Sequence, residues 1–236
     1  MNARDFRVQC DDGKRWFAGA RLTGADLHGL DIREAVLAGA HLAHADLHEA
    51  SLGRADLHHA DLEAVNLQGA DLAGTFLSQA RLRRANLTKA QMHDAVLAQA
   101  DLDEADLHDA VLSRADLHAA ELRRADLHAA NLAGSDLNWA SLAGADLSQA
   151  DLHNASLIGA DLNGAVLTKA DLHGAVLTGA DLHGADLADV DLHGADLTQA
   201  DLTDADLRRA NLEGAVLPDG TRKDWAETGG TPFPPA

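Results

Sequence analysis

Apolar residues recur at every fifth position along almost the whole chain. From Leu22 to Leu217 this position occurs 40 times and is Leu in 38 cases, with Ile32 and Met92 as the exceptions. The residue two places earlier is small, and it is Ala in 35 of the 40 cases. The residue immediately before the Leu is Asp 21 times and Asn four times. The chain is therefore an uninterrupted array of five-residue repeats.

A five-residue period fits neither a straight helix nor a flat strand. In a helix, successive Leu residues would lie about 140° apart around the axis, and in a strand they would alternate between the two faces. A continuous interior instead requires the chain to turn by a fixed angle after each repeat. Four repeats at about 90° close a square coil of about 20 residues, and stacked coils bury one column of Leu and Ala. Asp, Asn and Gly suit the corners, because they bond nearby backbone or accept positive φ.

The repeats ADLHG, ADLHA, ANLAG and ADLTQ resemble the A(D/N)LXX motif of the pentapeptide-repeat family, and the resemblance covers residues 15–219. It implies an all-β fold, a right-handed quadrilateral β-helix (solenoid) of about ten coils. In that fold the central Leu and the Ala two places earlier point inward, and the other three residues face outward. Leu107, Leu127 and Leu147 are then stacked core residues of successive coils. At the strand spacing of a sheet, the rod is about 48 Å long.

The pattern divides the chain into three segments. Residues 1–16 form an N-terminal cap, residues 17–217 form the solenoid, and residues 218–236 form a C-terminal cap and tail. A terminal coil exposes unpaired backbone and a slice of the Leu core. We therefore expect truncation of Leu22, near one end, to reduce stability less than truncation of Leu127.

The C-terminal segment has few residues that can cover the last coil. Pro218-Asp219-Gly220 predicts a turn, and Trp225 and Phe233 are the large apolar residues that follow it. Pairing of two C-terminal ends would hide the exposed core. We therefore predict a homodimer that joins two rods end to end.

Composition and charge exclude several classes of protein. The 236 residues contain 38 Asp and Glu against 19 Lys and Arg, for a formal net charge of −19, and 46% of them are apolar. This composition is too apolar for a disordered chain and too acidic for direct nucleic-acid binding. The sequence has neither a membrane-length apolar run nor an N-terminal apolar segment typical of a secretory signal. The single Cys10 excludes an internal disulfide and is typical of the reducing cytoplasm.

The sequence offers no support for catalysis. It contains no Gly-rich phosphate loop after a strand, and no GxSxG, HExxH or CxxC motif. A convex rod filled with Leu has no concave, water-excluding pocket in which to tune a catalytic group. We predict that the protein is not an enzyme and has no cofactor, so that its function lies on the faces, corners or ends of the rod.

Residues 20 apart stack on neighbouring coils, so surface ladders can be deduced from the sequence. His153, His173 and His193 form one ladder, and each follows an outward Asp by two residues. Three imidazoles at this spacing are suitable ligands for Zn²⁺ or Ni²⁺. However, 11 of the 14 His residues occupy this same outward position, which favours a solvated face. Metal binding and pH sensing remain as alternatives.

A second ladder runs from Asp61 to Arg124, and the sign of its charge alternates from one coil to the next. Arg81, Arg83 and Arg84 stack between acidic residues of the neighbouring coils. Opposite charges at this spacing predict cross-coil ion pairs. The alternative is an arginine-bearing site for a partner.

The C-terminal half carries a strong negative charge. Residues 125–207 contain 14 Asp and one basic residue, Lys169, for a net charge of −13. Over about four coils this is about one charge per 1.5 Å, against about one per 1.7 Å in duplex DNA. Twelve of the 14 Asp precede the central Leu, where the motif itself favours Asp, so the charge is either functional or a by-product of the fold. The candidate partner-binding residues are Asp126, Asp146, Asp161, Asp181, Asp186, Asp201 and Asp206.

These features favour a non-catalytic interaction rod whose acidic half binds a basic protein surface. The family resemblance implies a specific version, because some pentapeptide-repeat proteins mimic DNA and bind DNA gyrase or topoisomerase IV, conferring resistance to quinolones or to a toxin. This chain differs from those members in having Leu rather than Phe at the central position. The alternatives are a structural scaffold without a topoisomerase link, and a metal binder that uses the His ladder.

Overall fold

The computed structural model describes residues 2–223, which form a β-helix preceded by a short α-helix. Parallel bridges join each residue before a central Leu to its equivalent 20 positions later, from Trp16 with Val36 to Asp196 with Val216. One circuit of the coil therefore takes 20 residues. Within the described range the repeats pair through isolated bridges instead of extended strands. The reason is that each side of the coil is a single repeat, and two of its five residues form a turn.

The coil has four faces, which we number in chain order by their bridging residues. Face 1 carries residues 16 to 216, face 2 residues 21 to 201, face 3 residues 26 to 206 and face 4 residues 31 to 211, each in steps of 20. Consecutive faces meet at a two-residue turn, which forms a corner of the coil. Because these corners repeat in register, the outward side chains form ladders along the rod.

The interior is a continuous column of Leu and Ala. Leu107, Leu127 and Leu147 stack behind face 3, and each is at most 1% exposed. Most Ala residues two places before a central Leu are buried with them, and four near the ends, Ala20, Ala25, Ala205 and Ala210, are partly buried. Burying one Leu contributes about 1.5–3 kcal/mol before the loss of conformational entropy is subtracted. The stacked interior therefore holds the outward ladders in a fixed register.

Each corner is a turn closed by one hydrogen bond, as from Ala130 N to Leu127 O at 3.0 Å. The third residue of the turn has positive φ at all 40 corners from residue 19 to residue 214, and 25 of these residues are not Gly. Positive φ at this position alone is typical of a type II turn. The sequence predicts Gly, Asn or Asp at such positions, but Glu, Arg, Gln, Lys and Trp also occupy them. For 23 of these 25 residues, all but Asp204 and Arg209, the backbone N–H donates to a carbonyl of the next coil, as from Trp139 N to Ile158 O at 2.9 Å, and this offsets the backbone strain.

The N-terminal cap is helical, which the repeat pattern does not predict. Helix α1 spans Ala3–Asp11, and the Asn2 side chain caps it by accepting a hydrogen bond from Asp5 N at 2.8 Å. Phe6 and Cys10, four residues apart, lie on the buried side of α1, and the Phe6 and Phe17 ring centroids are 4.5 Å apart. The helix therefore covers the first coil of the solenoid with an apolar surface.

The thiol of Cys10 is buried and is therefore expected to be unreactive. Cys10 is 4% exposed, and burial raises the pKa of its thiol to about 11. A thiol with such a pKa is protonated at neutral pH, so it packs as an apolar group and is a poor nucleophile.

Within residues 2–223, the C-terminal end is covered less completely than the N-terminal end. The predicted turn is present, because Gly220 N donates to Leu217 O at 2.8 Å, and Val216 then pairs in antiparallel fashion with Arg222. This pairing covers the edge of face 1. Leu202 and Leu207 are half-buried, whereas Leu127 is fully buried. Trp225 and Phe233, predicted to cover this end, lie outside the described residues.

No helix within residues 2–223 is long and apolar enough to cross a membrane.

Candidate interaction surface

The seven candidate carboxylates lie on two adjacent faces of the rod. Face 2 carries Asp161, Asp181 and Asp201, and face 3 carries Asp126, Asp146, Asp186 and Asp206. Asp126 and Asp201 are exposed and the other five are half-buried. Because both sets precede central Leu residues, their backbone positions are fixed by the core beneath them.

Twelve of the 14 Asp residues of the acidic half have a local structural role. Each of the twelve that precede a central Leu accepts a hydrogen bond from the backbone N–H two residues later, as Asp146 does from Ser148 N at 2.9 Å. This is the Asx-turn geometry that stabilises a corner. Asn66, Asn86 and Asn131 make the same bond through their amide oxygens. The corner therefore requires a side-chain oxygen at this position, but it does not require a negative charge.

Two carboxylates at the end of the acidic half are neutralised by arginines just beyond it. Arg208 donates to Asp206 from Nε at 2.8 Å, and this hydrogen bond lowers the pKa of Asp206. Arg209 likewise pairs with Asp189 on the preceding coil and lowers its pKa. Including both arginines reduces the net charge of this region from −13 to −11. Asp206 is thus the one candidate whose charge is already compensated.

The remaining six candidates form no ion pair with any residue in the range 2–223. We call these six the acidic surface. Its members are Asp161, Asp181 and Asp201 on face 2 and Asp126, Asp146 and Asp186 on face 3.

The predicted His ladder is present, but its rings stack on one another. The imidazoles of His153 and His173 are parallel within 4°, with centroids 5.1 Å apart. Each Nδ1 is 2.6 Å from the carboxylate of its own Asp, Asp151 or Asp171. The bond to Asp171 raises the pKa of His173. Parallel rings aim their free nitrogens in the same direction, and not at a shared point, so metal binding by this ladder with His193 stays a prediction.

The charge-alternating ladder forms the expected ion pairs. Asp103 is 5% exposed and accepts from Arg123 Nη2 at 2.6 Å and from Arg83 Nη1 at 3.2 Å. Asp101, Asp103 and Glu121 are also close enough to hold a cation. However, the two guanidinium groups already occupy the Asp103 carboxylate that such a cation would need. This ladder therefore stabilises coil stacking by ion pairing.

One exposed aromatic residue stands beside the acidic surface and was missed by the repeat pattern. Trp139 lies at the corner between faces 1 and 2, and 62% of it is exposed. The neighbouring Ile158 on the next coil is 37% exposed. The sequence does contain a signal for this residue, namely a Trp at a corner position that otherwise holds only small or polar residues. From residue 19 to residue 199, every other residue at this position is Gly, Ala, Gln or His.

Comparison with protein-family models identifies the repeat. The model described as pentapeptide repeats matches eight times, and the matches together span residues 31–218. The family comparison therefore supports the assignment of the repeat and indicates no catalytic family. A comparison with curated protein sequences finds no match.

Solved structures with similar folds are also pentapeptide-repeat proteins. HetL, which is involved in heterocyst differentiation regulation in the cyanobacterium Nostoc sp. strain PCC 7120, is 37% identical over 94% of this chain and 100% of its own, with a TM-score of 0.59. A thylakoid-lumen pentapeptide-repeat protein from Arabidopsis thaliana is 29% identical over 49% of this chain and 67% of its own, with a TM-score of 0.31. QnrB1, a plasmid-mediated fluoroquinolone resistance protein, is 19% identical over 85% of this chain and 86% of its own, with a TM-score of 0.40.

Proposed function

The chain belongs to the pentapeptide-repeat family, and from that premise we propose that it is a non-catalytic interaction rod whose acidic surface binds a basic protein partner. The observation that carries the proposal is the set of six carboxylates on faces 2 and 3 without an ion-pair partner in the described residues. Elsewhere on the rod, arginines pair with many of the acidic residues, as Arg114 does with Asp94 and Arg84 with Glu104. Of the twelve Asp residues that precede a central Leu in the acidic half, nine have no ion pair within residues 2–223, and six of these nine lie on faces 2 and 3. The other three are Asp136 and Asp196 on face 1 and Asp191 on face 4.

The charge density of this half supports a partner that normally binds DNA. With Arg208 and Arg209 included, about four coils carry a net charge of −11, or about one charge per 1.8 Å. Duplex DNA carries about one charge per 1.7 Å. A protein surface built to receive duplex DNA would attract this rod by the same long-range field. The specific partner that we propose is DNA gyrase or topoisomerase IV, with protection from quinolones or from a toxin as the outcome.

A structural scaffold without a topoisomerase link is the second candidate function. The observation that favours it is the Asx-turn hydrogen bond made by all twelve Asp residues before a central Leu in the acidic half. This local role accounts for the Asp side chains without any partner. It does not account for the charge, because Asn makes the same bond at other corners.

A gyrase supercoiling assay, run with and without a quinolone, separates the two functions. We expect wild-type protein to inhibit or protect gyrase at micromolar concentration, with an effect that weakens as salt is added. The triple variant Asp126→Asn, Asp146→Asn, Asp186→Asn keeps the corner hydrogen bonds and removes three charges. It should need about tenfold more protein for the same effect, because rim charges act mainly through electrostatic attraction.

The matched control removes the same number of charges from other faces. Asp71, Asp116 and Asp196 lie on faces 4 and 1 and make the same Asx-turn bond, so their replacement by Asn should leave the effect close to wild type. Wild-type protein without effect on gyrase would remove the topoisomerase link and leave the scaffold. Equal activity of the first triple variant would show that the partner is right and the DNA-mimic mechanism is wrong.

A further inference from the structure

We propose that Trp139 is the anchor of the acidic surface, where its indole receives an arginine or lysine side chain of the basic partner. This inference rests on the proposed function and adds to it a residue that determines where the partner docks. The occupant is a basic protein segment that lies along face 2.

The indole of Trp139 is held against the next coil and is open on its outer side. A Cβ built on Gly159 would collide with ring atom Cζ3 of Trp139, so the ring packs directly over this glycine. Trp139 N also donates to Ile158 O at 2.9 Å, which fixes the corner beneath the ring. The ring is thus positioned by its own coil and the next one, while 62% of the residue remains exposed. A pre-positioned aromatic ring loses little conformational entropy when a partner binds.

Nothing in the fold requires a tryptophan at this corner. Trp139 has a φ of 61°, in the left-handed region that a bulky residue disfavours. The equivalent positions on the coils before and after are Ala119 and Gly159. The residue therefore combines backbone strain with an exposed apolar surface, and neither contributes to the core. Trp is also one of the residue types that are enriched among binding hot spots.

The charges around Trp139 identify the chemistry of the occupant. Asp136 precedes it on face 1, and Asp161 and Asp181 follow on face 2. From residue 18 to residue 199, the turns between faces 1 and 2 contain no Lys or Arg. A cation that reaches this corner would gain from both the carboxylates and the aromatic ring, since an indole face attracts guanidinium and ammonium groups.

The apolar area is too small to dock a hydrophobic partner. It consists of Trp139 and the partly exposed Ile158, whereas apolar docking sites usually extend over several hundred Å². The surrounding carboxylates would also have to be dehydrated without compensation. A basic segment avoids this cost, because its own charges pair with them.

Titration calorimetry with an octa-arginine peptide at low salt tests the inference on the full chain. We expect Trp139→Ala to weaken binding by about fivefold, and Trp139→Phe to retain most of the affinity. Trp139→Gln introduces a residue already present at this corner as Gln99 and Gln199, and it should weaken binding as Trp139→Ala does. Trp16→Ala is the matched control, because Trp16 is 76% exposed at the other end of the rod and its loss should not change the affinity.

Unfolding midpoints in urea check that each variant is folded, and an unchanged midpoint for Trp139→Ala assigns its effect to binding. Wild-type affinity in the Trp139 variants, together with weakened binding by Asp161→Asn with Asp181→Asn, would overturn the anchor and leave the proposed function standing. Failure of the wild-type protein to bind the peptide would also overturn the assignment of Trp139 as the anchor. The proposed function is tested separately by the supercoiling assay.

Discussion

At the scale of single residues, the unusual feature is the positive φ that every repeat requires. Twenty-five of the 40 corner residues adopt it without being Gly. An L-residue in this region loses about 1–2 kcal/mol relative to right-handed backbone. Stacking of the coils offsets this strain, because the N–H of every such residue except Asp204 and Arg209 donates to a carbonyl of the next coil. The same bond explains why Arg, Lys and Glu are accepted where a lone turn would demand Gly.

Glycine should therefore stabilise a corner that now holds alanine. Ala129 has a φ of 54°, and Ala129→Gly should raise the free energy of unfolding by about 1 kcal/mol, because the strain that it removes exceeds the added entropy of the unfolded chain. Urea unfolding followed by circular dichroism measures the change. Ala133→Gly, at the second residue of its turn, where φ is not positive, is the control and should lower stability. A drop of the same size in both variants would contradict the strain argument.

At the scale of one coil, stability depends on how well the neighbouring coils cover it. The sequence predicts that Leu22, near the N-terminal end, should be less important than Leu127. In the structure Leu22 is only 2% exposed, since α1 covers that end through Phe6. The less protected coil is the last one, where Leu202 and Leu207 are half-buried.

Truncation of Leu127 should thus be compared with truncation of Leu207. Leu127→Ala should reduce stability by about 2–5 kcal/mol, because a closed square coil cannot collapse around the cavity. Leu207→Ala should reduce it by less, since part of that side chain is already in contact with solvent. Urea unfolding of both variants gives the comparison, with Leu22→Ala as a third point that should resemble Leu127→Ala. Equal losses at residues 127 and 207 would show that the last coil is as well covered as the middle of the rod.

At the scale of the whole molecule, the two ends of the rod differ. The N-terminal end is closed by α1, whereas within residues 2–223 the C-terminal end is closed on face 1 by the pairing of Val216 with Arg222. The backbone N–H groups of Leu202 and Leu207 have no acceptor in that range. An open edge of this kind pairs readily with another chain.

We expect two rods to join through these C-terminal ends into a symmetric rod about 100 Å long. Light scattering of the full chain should give the mass of a dimer. Deletion of residues 218–236 removes the pairing at face 1 and should change the oligomeric state or cause aggregation. A full-length protein that stays monomeric at high concentration would contradict the end-to-end dimer.

The sequence alone determined the closed coil and its interior. A Leu at every fifth position, with Ala two residues before it, can be buried continuously only if the chain turns by a fixed angle after each repeat, and four repeats at about 90° close such a circuit. The ladders and the acidic half then follow from simple spacing of 20 residues. Asp before the Leu was also predictable as a corner residue, because its side chain can bond nearby backbone.

The tertiary structure alone decided which groups remain available on the surface. Arg208 and Arg209 turn back to Asp206 and Asp189, and Trp139 lies flat over Gly159, because side-chain directions depend on contacts with the neighbouring coil. Helix α1 likewise depends on the apolar end of the solenoid against which Phe6 packs. A periodic sequence thus determines where side chains emerge, whereas the packing between coils determines which of them are left free to bind.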